Sequence, residues 1–190
     1  MSIQFKNILK AFDGSFKRGR LNIPEKSKGH TDINGVDLKD AVAFSGLIDV
    51  GTLINEPGFE FRESLRQTEE AALAGGFHSL LAMSPDENLF DSKTFIEYIL
   101  RKKARKNAPH IYPIANLTVQ KAGKDFVEFN DLHNAGAIAF SDGLKPIKDA
   151  GLLLRALEYV KSFDGMIITS PIDKSFIRMD KCTKEIYQRV

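Results

Sequence analysis

Cysteine is almost absent: Cys182 is the one such residue in 190, so neither an internal disulfide nor a cysteine-rich zinc site can form within the chain. Histidine is scarce too. The four residues His30, His78, His110 and His133 show no HxH or HExxH spacing, the patterns that aim two imidazoles at one metal. Charge of one sign is not in excess, with 27 Lys and Arg against 25 Asp and Glu, which removes the main reason to expect nucleic acid or an acidic membrane surface as partner. No apolar run approaches the roughly 20 residues of a membrane span, and Met1–Lys6 lacks a hydrophobic leader, so neither insertion nor export is expected and the cytoplasm fits. Internal repeats and low-complexity segments are missing as well.

What remains is an ordinary globular composition with a clear rhythm. From about residue 43, short apolar runs alternate with amphipathic stretches, the pattern of βα units feeding a parallel sheet. A first, buried strand is predicted at Val42–Phe44 running on through Gly46–Val50, and further strands at Ser79–Met83, His110–Ile114, Ala137–Phe140 and Met166–Thr169. Helices are predicted at Arg62–Ala74 with Leu65, Ala72 and Leu73 inward, and at Ser92–Lys106 with Phe95, Ile96, Ile99 and Leu100 inward. Two more are predicted at Asp125–Asn134 and at Asp149–Phe163, the latter with Leu152, Leu153, Ala156, Leu157 and Val160 on one face. The first 40 residues differ, since Gly14, Gly19, Pro24, Gly29 and Gly35 interrupt short β-like pieces, as in a small β subdomain or a loop. Gly51-Thr52-Leu53-Ile54-Asn55, after the first strand, has neither GxGxxG nor a GxxxxGK[ST] phosphate loop, which disfavours a nucleotide-binding sheet.

Three segments, in order, carry a resemblance. Gly46-Leu47-Ile48-Asp49-Val50, Glu56-Pro57-Gly58 and Ala71–Phe77 are similar to GLIDVHVHLREPG and a helix ending in AAAGGF. Gly136–Gly143 is similar to GAVAFSDDG, and Asp173-Lys174-Ser175 to the end of SHCEDKS. On these motifs the chain resembles the N-terminal part of a dihydroorotase, a cyclic amidohydrolase of the pyrimidine pathway. The resemblance implies an α/β fold: a partial (β/α)₈ barrel of about five βα units over residues 43–178, a small N-terminal β segment over 1–42 and a tail over 179–190. A whole barrel takes about 250 residues, so three further units are expected to be lacking and the open sheet to be covered by association.

The resemblance also locates departures. The two histidine positions of HxH, which hold a metal in the family, fall at Gly51 and Leu53, and the histidine of SHCEDKS falls at Ser170. The arginine that meets the substrate carboxylate falls at Asn55, a weak substrate-binding candidate that cannot supply a cationic fork. Met83–Asn88 replaces an MPNT-like turn, and Asp142 is the retained candidate catalytic residue, in a Ser-Asp-Gly one residue short of the family's pattern. A capping role in the turn before Leu144 is the plainer expectation for it. The four histidines are expected not to compensate. Glu56, Glu60 and Glu63 are expected to serve the loop and the first helical turn rather than acid–base chemistry, and the basic run Arg101–Lys106 to form a solvated helix end.

These readings give a catalytically silent dihydroorotase-like protein with a structural or regulatory role and no cofactor. Its expected partner is a second copy, an active dihydroorotase or an aspartate transcarbamoylase. The alternative is an active cyclic amidohydrolase, opening the dihydroorotate ring amide with zinc, whose missing site residues come from another segment or chain.

Overall fold

Two units divide the chain, Met1–Gly46 and Leu47–Val190. A computed structural model describes residues 2–12, 15–24, 34–37, 41–85, 90–102 and 108–170. Gly14, His30, Gly29, Asp86–Asn88, Lys103–Lys106, Asp173–Ser175 and the tail with Cys182 lie outside the described residues.

In the first unit, β1 (Ser2–Phe12) pairs antiparallel with β2 (Ser15–Pro24), and β3 (Asn34–Asp37) and β4 (Val42–Ala43) run parallel to β1. The described residues of this unit thus build a four-stranded sheet. The expectation of one strand from Val42 to Val50 fails, because Val42 and Ala43 register against Leu9 and Lys10, whereas the next strand begins at Leu47 in the other unit.

The second unit is α/β. Four strands, β5 (Leu47–Leu53), β6 (Phe77–Met83), β7 (His110–Ala115) and β8 (Ala139–Phe140), form a parallel sheet in that spatial order. Helices α1 (Leu65–Ala74), α2 (Lys93–Lys102) and α3 (Phe129–Asn134) lie on the crossovers, and α4 (Ala150–Val160) follows β8. A parallel pair demands such crossovers, so the sequence rhythm and the pairing agree.

The departures from the expected boundaries have identifiable causes. Helix α1 starts at Leu65 because Ser64 forms a capping box with Gln67, and its buried stripe is Leu65, Thr68, Glu69 and Ala72. Leu73, expected inward, is exposed, one residue and about 100° off that stripe. Residues 125–128 are not helical: Phe126 bridges Thr118, and the Val127 N–H donates to the Leu117 carbonyl, so α3 begins only at Phe129. Helix α4, capped by the Asp149 carboxylate on the Gly151 N–H, buries Leu152, Ala156 and Val160 and leaves Leu157 exposed. The fifth strand contracts to one parallel bridge, Phe140 with Ile167.

The core gathers where these helices cover the sheet. Phe90, Ile96, Ile99, Ile111, Leu117, Phe129, Leu132 and Phe140 are all buried, and the rings of Phe129 and Phe140 meet edge to face at 4.8 Å. Strand β5 is different: its described pairing is with β6, and Leu47, Ile48, Val50 and Leu53 stay exposed. No helix among the described residues is long and apolar enough to cross a membrane.

Gly136 enters β8 with φ +111°, and a Cβ there would lie 2.5 Å from Leu100 Cδ1 on α2. Gly136→Ala is therefore expected to cost at least about 2 kcal/mol through strain and overpacking. Urea unfolding of the variant beside the parent measures it, and a loss below about 0.5 kcal/mol, the level of a neutral surface change, would contradict the packing.

Candidate functional site

Parallel strands place all their C-terminal ends on one rim, so Leu53–Asn55, Ser84, Asn116–Thr118, Ser141–Asp142 and Thr169–Ser170 share one edge of the sheet. Open α/β sheets and barrels bind ligands at this edge. Asp142 sits there, buried, and its two oxygens face the end of β7. Oδ1 accepts the backbone N–H of Leu117 and of Thr118, each at 2.9 Å, and Oδ2 accepts the Thr118 hydroxyl at 2.5 Å. The Thr118 Oγ1 in turn accepts the Gly123 N–H at 2.9 Å.

Asp142 therefore does not cap its own turn with its side chain. That task falls to Ser141, whose Oγ accepts the Gly143 N–H at 3.0 Å. The carboxylate instead ties β8 to the turn after β7, satisfying buried donors that would otherwise be stranded. Sequence spacing could not reveal this, because the partners lie 24 and 25 residues away.

A second chain of contacts crosses the rim from β6. Lys121 is buried, and its Nζ donates to the Ser84 carbonyl at 2.9 Å, while the Ser84 hydroxyl approaches Asn116 Oδ1 at 3.4 Å. Lys121 and Gln120 both have φ 52°, in the left-handed region. Neither lysine nor asparagine stood out from the sequence, since a lone Lys or Asn between strands carries no motif.

At the end of β5 the predicted positions lie apart from this network. Gly51 sits where the β5–β6 register slips, between Val50 opposite Leu81 and Thr52 opposite Ala82. Its φ is +114°, and a Cβ there would come 3.1 Å from Met83 Cε. Glycine is thus built into the strand's path. Leu53 is half exposed, Thr52 donates its hydroxyl to Asp49 Oδ2 at 2.7 Å, and Asn55 uses its carbonyl to accept the Phe59 N–H. Ser170 is half-buried at the end of the described residues.

Zinc requires three or four converging N, S or carboxylate ligands. Gly51, Leu53 and Ser170 offer none of these, and the Asp142 carboxylate, bonded to Leu117 and Thr118, is not joined by two further His, Cys, Asp or Glu ligands, so the described residues do not fit the metal. Among the described residues, histidine does not repair the set. His78 and His110, 4.9 Å apart ring to ring, stand at the N-terminal ends of β6 and β7, and His133 on α3 packs against Phe163 at 4.7 Å.

Glu56 has a clear task. Its buried carboxylate accepts the Leu65 N–H at the start of α1 and the Tyr98 hydroxyl, both at 2.7 Å, and pairs with Lys102 on α2. Lys102 is therefore not part of a purely solvated basic end. Burial pushes the Glu56 carboxyl up, yet the hydrogen bonds from Lys102, Leu65 and Tyr98 outweigh it and hold the pKa below its ordinary value. Glu60 accepts the Gly58 N–H within its own turn, far from any acid–base pairing with Glu56.

Comparison with known proteins now bears on this rim. The family described as Dihydro-orotase-like matches residues 40–178, and the chain belongs to that family. A dihydroorotase of Syntrophus aciditrophicus (strain SB) is 42% identical over 138 residues, covering 73% of this chain and 32% of that protein. One from Syntrophotalea carbinolica is 32% identical over 77% of this chain and 34% of its own length, and one from Caldanaerobacter subterraneus subsp. tengcongensis is 30% identical over 92% and 42%. The chain spans about a third of the length of the first two. Among solved structures, a Xaa-Pro dipeptidase with bound methionine in the active site superposes with a TM-score of 0.47 at 10% identity, covering 88% of this chain and 56% of that one.

Two expectations follow. Asp142→Ala strands three buried donors and should cost roughly 3–5 kcal/mol in urea unfolding, whereas Asp142→Asn, which still accepts at Oδ1, should lose about half as much. Equal losses would contradict the arrangement. Because the Glu56 pKa is lowered on folding, its contribution is present above the ordinary value of 4.5 and is lost as pH falls through the folded value. Stability of Glu56→Gln, measured from pH 7 to pH 3, should therefore fall less steeply below pH 4.5 than that of the parent.

Proposed function

We propose that this member of the dihydroorotase-like family is non-hydrolytic and acts as a structural or regulatory component of pyrimidine synthesis, its parallel sheet being part of a (β/α)₈ barrel. The observation that supports the reading is the use of Asp142: the one retained family carboxylate accepts three hydrogen bonds from Leu117 and Thr118. Gly51, Leu53 and Ser170 support it, since the first is held at φ +114° and none carries a metal-ligating group. Asn55 lacks the bidentate cation that a substrate carboxylate favours.

Association is part of the same proposal. Ile48 and Val50 of β5 are each 61% exposed, on a strand whose described pairing leaves one edge open. Apolar edges of this kind are normally covered. A second copy, an active dihydroorotase or an aspartate transcarbamoylase in the cytoplasm would supply that cover.

A second reading is favoured by coverage: the chain spans 32% of the Syntrophus aciditrophicus dihydroorotase, so an active cyclic amidohydrolase would draw its remaining ligands from another segment or chain and hold zinc.

The proteins of the two readings behave differently in one preparation. On the leading reading the purified chain, dialysed against zinc, retains well under one equivalent and opens no dihydroorotate ring, and its mass in solution exceeds the 21.2 kDa of one chain. About one zinc per chain together with dihydroorotate hydrolysis that Asp142→Ala abolishes would replace it by the second reading.

A further inference from the structure

At the end of the sheet opposite the rim, two of the four histidines come together. His78 is the second residue of β6 and His110 the first of β7, and the pairing of these strands, with Ser79 in register against His110, sets the two side by side. Their spacing along the chain gives no HxH or HExxH pattern, so only the folded sheet reveals the pair. We propose that His78 and His110 together bind a late first-row divalent metal ion, with Cu(II) held most tightly.

The two rings have the separation that a shared ion requires. Their centres lie 4.9 Å apart and their planes meet at 63°, an edge approach rather than a face-to-face stack. Imidazole carries its nitrogens on the ring edge, so an edge approach is the one compatible with two nitrogens converging. Two imidazoles that ligate one ion at adjacent positions place their centres roughly 4.5–5 Å apart, given metal–nitrogen bonds of about 2 Å.

Both side chains are also accessible and have nitrogen to spare. His78 and His110 are exposed. The Nδ1 of His78 shares a 2.8 Å hydrogen bond with the hydroxyl of buried Ser79, which orients the ring and leaves Nε2 for a ligand. A ligating histidine is characteristically held in this way through its other nitrogen. His110 has ring contacts with His78 and with Tyr112 and no hydrogen bond from its imidazole among the described residues. A cleft of about 340 Å³, lined by Leu73, Gly76, Phe77, Ala108 and Pro109, opens beside His78 and gives an ion and its water room to approach.

The ligand count selects the metal. No group of three or more His, Cys, Asp or Glu converges among the described residues, so the pair supplies two nitrogens and water fills the remaining positions. Zinc sites take three or four protein ligands, and zinc is expected to be lost from this pair on dialysis. Imidazole with water oxygen in a tetragonal arrangement suits Cu(II) and Ni(II), and Cu(II) stands highest in the affinity order of the divalent series. The site is independent of the rim, using none of Gly51, Leu53, Asn55, Asp142 or Ser170.

The test is isothermal titration of the full chain with Cu(II) chloride, with electron paramagnetic resonance of the one-to-one sample. Saturable binding of about one equivalent with Kd below about 10 µM is expected, with a spectrum split by two nitrogens. H78Q and H110Q, both at exposed positions, should each weaken binding at least about tenfold, whereas H30Q and H133Q should leave the Kd unchanged. Absence of saturable Cu(II) binding, an unchanged Kd in either H78Q or H110Q, or an equal loss in H30Q or H133Q would overturn the proposal.

Discussion

The Asp142 carboxylate holds the rim together. Its three accepted hydrogen bonds join the end of β8 to the turn after β7 at a point where both backbone N–H groups are buried and have no strand to pair with. A charged acceptor bonded to main-chain donors is among the stronger polar contacts available inside a protein, and its removal leaves donors that cannot reach water. The folded path from Leu117 to Gly123 follows from it, because Thr118, fixed by Asp142, receives the Gly123 N–H, and the same turn carries Lys121 inward to Ser84. The carboxylate that the family's motif would assign to chemistry thus also ties two loops together.

Glu56 plays the corresponding part in the loop after β5. It joins the loop after β5 to the start of α1 and, through Tyr98 and Lys102, to α2. The two buried carboxylates thus spend their charge on ordering loops at the strand ends. Gly51 bends β5 at φ +114° where the register slips, a conformation in which any side chain would be strained.

Much of this architecture was legible in the chain's periodicity. Helices α1, α2 and α4 follow from apolar residues at helical spacing, with Leu65, Ile96, Ile99, Leu152, Ala156 and Val160 buried as that spacing demands. Two of the misplacements occur where long-range pairing overrides local pattern, and one follows from a helix cap. Phe126 left the expected third helix to bridge Thr118, Val42 and Ala43 joined β1 instead of the strand beginning at Leu47, and Leu73 lost its place inward once Ser64 set the helix frame. At the rim, Asp142 stood out by its motif, but its hydrogen-bond partners 24 and 25 residues away did not, and Lys121 had no signal because its burial depends on two left-handed backbone residues.

The central claim is that the rim's carboxylate is structural and the rim does not hold zinc. Anomalous diffraction at the zinc edge from crystals of the full chain grown with zinc measures this directly. The account predicts no anomalous peak at the C-terminal ends of β5 and β8, with the Asp142 oxygens still on the Leu117 and Thr118 N–H groups. A peak about 2.0–2.2 Å from an Asp142 oxygen, the distance of a zinc–carboxylate bond, would contradict it.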